Sequence, residues 1–210
     1  MTIATALWSF TLVAALLTLS PGLDTALILR TSALGNRRQA WGVVLGIQTG
    51  TLTWGVLTSL GITALLTASQ LAYTVLRWVG AAYLVWMGAR MLYDTWRRVP
   101  LADATAEAAA PGGLLTAWRR GALTNLLNPK VGVVYVAMLP QFIPPGAPHL
   151  AFGVLLTSIH IVLGLVWSAV LIGFARVIRH QLAKPAARRV LDRVTGTIIA
   201  GFGLRLAMSD

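Results

Sequence analysis

Long apolar stretches separated by short polar connections make up most of the chain. They lie at residues 3–29, 40–68, 71–92, 121–139, 150–174 and 190–207. A helix needs about 20 apolar residues to cross a bilayer, so the pattern predicts an all-α membrane protein with six transmembrane helices. The last stretch carries Asp192 and Arg193 at its start and has a short apolar core, so five spans stay an alternative.

The basic residues between the stretches predict the orientation. Most of the 17 Lys and Arg residues lie at or after the end of the first, third or fifth stretch. They are Arg30, Arg37, Arg38, Arg90, Arg97, Arg98, Arg119, Arg120, Arg176, Arg179, Lys184, Arg188, Arg189 and Arg193. Connections rich in Lys and Arg stay in the cytoplasm, so both termini are expected on the outer side of the membrane.

One connection is long enough to divide the chain. Residues 93–117 contain an alanine-rich segment that ends in Pro111, Gly112 and Gly113, with no apolar periodicity. Such a segment predicts a flexible cytoplasmic linker. The chain is then a single membrane domain, residues 1–210, with one three-span half at residues 1–92 and another at residues 118–210.

Composition agrees with a membrane protein. The 210 residues are 57% hydrophobic and 11% charged, and the mean hydropathy is +0.74. The net charge of +11 would suggest nucleic-acid binding in a soluble protein, but here the arginines lie where topology signals are expected, so the lipid bilayer is the predicted partner and nucleic acid is not. The absence of cysteine excludes a disulfide framework and a thiol redox relay.

The first stretch is interrupted at Ser20-Pro21-Gly22-Leu23-Asp24. Pro21 has no N–H for the carbonyl of Leu17, and Gly22 lets the chain bend, so a helix break is expected at membrane depth. Exposed backbone is tolerated there only beside a protein-lined or water-filled cavity. Asp24 then begins the resumed helix, where the dipole favours a negative charge and the absence of water favours the neutral acid, so its carboxyl group can bind and release a proton.

A second break is predicted in the fourth stretch, at residues 124–130 (TNLLNPK). Pro129 is expected to free the carbonyl of Asn125, and the amides of Asn125 and Asn128 share a helix face that can serve the backbone or a solute. With three spans in each half, the two proline breaks occupy comparable places in oppositely oriented halves. This pattern is typical of 3+3 inverted-repeat secondary transporters, whose broken helices meet at a binding site.

Two charged side chains, Asp24 and Lys130, are predicted inside the membrane. A charge there costs about 2.5 to 3.5 kcal/mol on insertion scales, which favours a functional role. For Asp24 the alternatives are contact with a proton or a substrate amine, an N-cap, or a partner for Lys130. Lys130 can pair with Asp24, bind a substrate carboxylate or extend to the interface.

Three further polar residues are candidates with weaker support. Gln48 and Thr49 can add polar groups to a pathway, although hydroxyls in spans often bond their own backbone. The ordinary pKa of histidine, about 6.5, suits proton handling by His160, but a hydrogen-bonded packing role is the simpler interpretation. No other histidine lies at ligand spacing, so neither a metal site nor a cofactor is predicted.

Gly42, Gly46 and Gly50 repeat every four residues in the second stretch. They leave a smooth strip for a close helix neighbour, which fits an internal contact or a homodimer.

Motifs along nearly the whole chain carry a family resemblance. They are Ser20-Pro21-Gly22-Leu23-Asp24, residues 80–88 (GAAYLVWMG), residues 120–130 (RGALTNLLNPK) followed by residues 139–142 (LPQF), and residues 203–207 (GLRLA). Together they resemble the LysE/RhtB family of amino-acid efflux translocators, with Leu23 in place of the commoner second proline of the first motif.

The resemblance implies an inner-membrane exporter of amino acids or related small metabolites that is driven by the proton gradient. The implied partners are an amino-acid-like solute and protons, and the cargo stays open. A passive channel or an assembly factor is the alternative function. An intramembrane enzyme is not expected, because an aspartyl protease needs two membrane acids and no nucleophile motif accompanies Ser20 and His160. No Gly-rich phosphate loop is present to use ATP.

Overall fold

The computed structural model describes residues 1–34, 37–68, 70–97, 113–175 and 185–208. Within these ranges the chain forms eight α-helices and one 3-10 helix, with no strand. They are α1 Ile3–Leu19, α2 Leu23–Leu34, α3 Arg37–Ala68, α4 Gln70–Arg97, α5 Leu114–Leu126, α6 Pro129–Met138, the 3-10 helix Leu139–Phe142, α7 His149–Gly173 and α8 Pro185–Met208. The all-α fold predicted from the apolar stretches is confirmed.

Both predicted proline breaks are present, and they bend the chain to a similar degree. The first bent pair turns by 53° between α1 and α2, and the second by 55° between α5 and α6. Ser20 and Asn128, which precede the prolines, are extended with ψ of 117° and 107°. Proline excludes the helical conformation from the residue before it, so each break follows directly from the sequence.

The structure supports part of the predicted count of six membrane spans. Two helical segments among the described residues, Arg37–Gly61 and His149–Gly173, are long and apolar enough to cross a membrane, and each bent pair adds one if it counts as a single span. The six-span count stays a prediction, because α4 and α8 are not among these segments.

Close approaches between helices show how the helices run. Glycines bring α4 and α8 together, where Gly88 faces Ala200 and Gly203 faces Val85, so these two helices are antiparallel. The same type of contact makes α3 antiparallel to α7, since Gly55 lies against Thr157 and Gly153 against Ser59. Both relations agree with the alternating directions that six spans require.

The glycine strip of α3 packs against another helix of the same chain. A Cβ atom added at Gly42 would lie 2.9 Å from Ala117 Cβ, and one at Gly50 would lie 2.6 Å from Asn125 Oδ1. At Gly46 it would overlap the carbonyl oxygen of Trp118. The strip therefore seats α5, which runs parallel to α3, and it is not a free face for a homodimer.

We expect Gly46→Ala to destabilise the protein by about 1 to 3 kcal/mol, the usual effect of overpacking. The added methyl group would meet backbone atoms of α5, which cannot move aside as a flexible side chain can. Thermal unfolding in detergent measures the change. Gly61→Ala is the matched control on the same helix, because a Cβ there meets nothing within 4 Å. Equal melting temperatures for the two variants would contradict this account of the α3–α5 contact.

The helices extend into the predicted linker from both ends. Helix α4 continues to Arg97 and α5 begins at Leu114, so helical structure covers parts of residues 93–117. Residues 98–112, the middle of the linker, lie outside the described residues.

Two separate clusters of buried apolar side chains surround the middle of the protein. The first cluster joins α1, α4, α6, the 3-10 helix, α7 and α8, and includes Phe10, Leu84 and Met138. The second cluster joins α2, α3 and the end of α7, and includes Val43 and Leu171. Polar side chains from both helix breaks lie between the two clusters.

Candidate functional site

The two helix breaks meet through the carboxyl group of Asp24. Asn125 Nδ2 donates to Asp24 Oδ2 at 2.8 Å, and Asn128 Nδ2 lies 3.5 Å from Oδ1. Asn125 is 1% exposed and Asn128 6% exposed, so these amides lie in the protein interior. Asp24 is in the first turn of α2, whereas the two amides lie on either side of the second break. The two halves of the chain thus share one hydrogen-bonded site.

Lys130 makes a second connection between the breaks. Its Nζ donates to Ser20 Oγ at 3.0 Å, and Ser20 is buried at the end of α1. The backbone N–H of Lys130 donates to Asn128 Oδ1 at 3.1 Å, which makes Asn128 the N-cap of α6. A side-chain cap satisfies one of the unpaired N–H groups at the start of a helix. Asn128 therefore holds α6 in place and also reaches Asp24.

A cavity with a free volume of about 100 Å³ lies at this junction. A cavity needs only about 10 to 15 Å³ of such volume to hold one water molecule, so this one has room for several waters or a small solute. Its polar wall contains side chains of both breaks: Ser20, Asp24, Asn125, Asn128 and Lys130. Apolar side chains from the two clusters complete it: Leu17, Ile28, Ile47, Val131, Val134 and Leu171.

The hydrogen bonding of the Asn125 backbone carbonyl differs from the prediction. This carbonyl was expected to be free for a solute, because Pro129 cannot donate to it. In the structure the N–H of Asn128 donates to this carbonyl at 3.1 Å. A tight turn after α5 thus satisfies the carbonyl that proline leaves, and the polar contribution of Asn125 to the site comes from its side chain.

The other predicted site residues divide into two groups. Gly22, Gln48 and His160 line the cavity together with the charged residues. Pro21 and Pro129 shape the breaks and do not line it. Thr49 is exposed and lies away from the cavity, where its hydroxyl donates to the Leu45 carbonyl and accepts from Trp118 Nε1 at 3.1 Å.

The cavity residues that were not singled out from the sequence include Tyr135 and Trp167. Tyr135 is 2% exposed, and its hydroxyl lies 2.9 Å from His160 Nδ1, with the two rings stacked at 5.8 Å. This contact agrees with a hydrogen-bonded role for His160. Trp167 also lines the cavity, and no acceptor among the described residues pairs with its buried Nε1. Trp167 lies within α7, more than one turn before its last residue Gly173, rather than at the helix end where interfacial tryptophan is common, and this was the available signal.

These contacts suit reversible binding of a small charged solute. Amide groups lie at both oxygens of Asp24, and the carboxylate can exchange these donors for a proton or an ammonium group. Lys130 places a positive charge nearby, and the flanking apolar side chains limit access of water. The arrangement holds opposite charges in a small cavity between two helix breaks, as in broken-helix transporters.

Comparison with known proteins identifies the family of this chain. The family model for the LysE type translocator matches residues 15–210. The chain belongs to the LysE-type translocator family. The predicted resemblance is confirmed, and the chain is a membrane transporter of an amino-acid efflux family.

Individual relatives match along almost their whole length. A membrane protein of Vibrio cholerae is 33% identical, with 95% of each chain covered. The homoserine/homoserine lactone efflux protein of Salmonella typhimurium is 32% identical, again with 95% of each chain covered. The leucine efflux protein of Salmonella choleraesuis is 28% identical, covering 95% of this chain and 93% of the relative. No solved protein structure matches the chain.

Proposed function

We propose that this translocator exports amino acids from the cytoplasm of a bacterium across its inner membrane, in exchange for protons. The contact between Asp24 and the amides of Asn125 and Asn128 carries this proposal. Asp24 is the one acid among the described residues that line the cavity, and groups from both helix breaks hold it. An intramembrane acid of this kind is the usual site of proton exchange in transporters.

The exchange follows from competition for one carboxylate. When cargo binds from the cytoplasm, its ammonium group displaces the proton or the amide donors at Asp24. When cargo leaves on the other side, a proton takes its place and neutralises the carboxyl group for the return step. Export of the solute is thereby coupled to inward movement of a proton, because Asp24 cannot hold both at once.

The two apolar clusters fit alternating access. The first cluster lies on the side of α1 and the 3-10 helix, and the second cluster lies on the side where α3 begins. The basic residues Arg37 and Arg38 begin α3 on the side of the second cluster, which supports a cytoplasmic placement of that side and both termini outside. Opening one cluster while the other stays packed moves the cavity from one side to the other.

The names of the relatives support amino acids as cargo. Homoserine and leucine efflux proteins match this chain over nearly its full length. Both solutes carry one ammonium and one carboxylate group, and the cavity presents Asp24 and Lys130.

Uptake into inside-out vesicles tests the proposal. In such vesicles the lumen corresponds to the periplasm, so an imposed acidic lumen is expected to drive radiolabelled leucine or homoserine inward above its external concentration. Vesicles without the protein and vesicles treated with a protonophore are the controls. A passive channel would equilibrate the solute without accumulating it, and absence of any accumulation across an amino-acid panel would contradict the exporter.

A further inference from the structure

The cavity has a simple charge balance. Among its described lining residues only Asp24 and Lys130 carry formal charges, and the remaining polar groups are hydroxyls, amides, an imidazole and an indole. The α-ammonium and α-carboxylate of an amino acid match one negative and one positive group. A further charge on the cargo side chain would find no counter-charge among these residues, and an unpaired buried charge is costly.

Gln48 contributes to the part of the wall where α3 meets α7. It projects from α3 towards Gly164 of α7, and a Cβ atom added at Gly164 would lie 2.8 Å from its Nε2 and 3.1 Å from its Oε1. The missing side chain at position 164 therefore provides the space for this amide. Both residues line the cavity.

The cavity-lining residues of α3 and α7 carry no formal charge. Ile47 precedes Gln48 and Thr51 follows one turn later on the same face of α3, and both also line the cavity. Ile28 and Leu171 contribute apolar surface from α2 and α7. An amide in this setting can hydrogen-bond a hydroxyl or tolerate an aliphatic group, but it supplies no net charge to neutralise an ammonium.

We propose that Gln48 is a specificity-determining residue that restricts the cargo to amino acids with uncharged side chains and excludes basic ones. This inference rests on the proposed export function. Asp24 takes the α-ammonium of every cargo, whereas the amide held against Gly164 faces the side chain.

Norleucine and lysine have side chains of similar length, so comparing their uptake isolates the effect of the side-chain charge. In the inside-out vesicle assay, wild-type protein is expected to accumulate norleucine and to take up lysine at least about 100-fold less effectively, which corresponds to an uncompensated buried charge. Equal uptake of the two would overturn the inference while leaving the exporter intact. Failure to accumulate any amino acid would instead contradict the exporter itself.

Gln48→Glu is the decisive variant, because it keeps the shape of the side chain and adds one carboxylate. We expect lysine uptake to rise at least about tenfold and norleucine uptake to fall. Gln39→Glu is the matched control: it makes the same change on the same helix, at a residue outside the cavity lining, and is expected to keep the wild-type preference.

A second variant covers the case in which the new carboxylate prevents folding. Gln48→Leu adds no charge, so it is expected to continue to exclude lysine and to bind homoserine less well than norleucine, because the amide that meets a hydroxyl is gone. One result would contradict the inference: Gln48→Glu still transports norleucine, but its lysine uptake does not rise. The other is an unchanged ratio of homoserine uptake to norleucine uptake in Gln48→Leu. Either result would show that Gln48 does not contact the cargo side chain.

Discussion

Replacing Asp24 with asparagine is expected to abolish accumulation driven by the pH gradient, lowering the initial rate at least about 100-fold. The amide has nearly the same shape as the carboxyl group but cannot take up or release a proton near neutral pH. A positioned group that transfers a proton contributes about 100-fold to 10,000-fold in rate, which sets the size of this loss. Uptake of labelled amino acid into inside-out vesicles with an acidic lumen measures it.

The control for this prediction separates coupling from folding. Asp24→Glu keeps a titratable acid and is expected to retain part of the gradient-driven uptake, at a lower rate because the longer side chain disturbs the 2.8 Å contact with Asn125. Exchange of labelled for unlabelled cargo without a gradient is expected to persist in Asp24→Glu, which keeps a carboxylate for the cargo ammonium, and to be weakened in Asp24→Asn, which lacks one. Full gradient-driven accumulation by Asp24→Asn would assign the proton to another residue.

Asn125→Leu is expected to lower transport by about 10-fold to 100-fold. Leucine fills a similar volume but removes the amide that donates to Asp24 Oδ2, and a hydrogen bond to a charged group contributes about 1.5 to 3 kcal/mol. The side chain also packs against Gly50, so the buried volume must be kept while the donor is removed. Initial rates at several cargo concentrations, compared at equal amounts of protein in the vesicles, provide the measurement.

Asn128→Ser is the companion variant and is expected to have a smaller effect, within about fivefold. Its contact with Asp24 is longer, at 3.5 Å, whereas its main bond caps α6 through the N–H of Lys130. Serine is also a good N-cap, so this role is largely kept. A larger loss in Asn128→Ser than in Asn125→Leu would show that the position of α6, rather than the amide donor at Asp24, limits transport.

Several features of this protein follow from the sequence alone. The apolar stretches determine an all-α membrane fold, because a bilayer excludes unpaired backbone polar groups. Pro21 and Pro129 determine the two helix breaks for an equally local reason, since a proline removes a donor and restricts the residue before it. Asp24, Lys130, Asn125 and Asn128 could be identified as candidate site residues because polar groups are rare and costly in such segments.

Tertiary structure decided which of these residues meet. Neither the pairing of Asp24 with Asn125 nor that of Lys130 with Ser20 can be deduced from spacing, because more than one hundred positions separate the partners in each case. The same holds for the glycine strip of α3: its spacing indicates a close neighbour, but only the packed helices show that α5 is that neighbour.

Tertiary structure also sorted candidates that look alike in sequence. Gln48 and Thr49 are adjacent, yet the 100° turn between successive helical residues sends Gln48 into the cavity and Thr49 to the outside. Tyr135 and Trp167 join the site only because α6 and α7 pack with those faces inward. Local chemistry thus determines where the chain bends and which residues are polar, whereas the composition of the site depends on contacts between distant segments that no local pattern encodes.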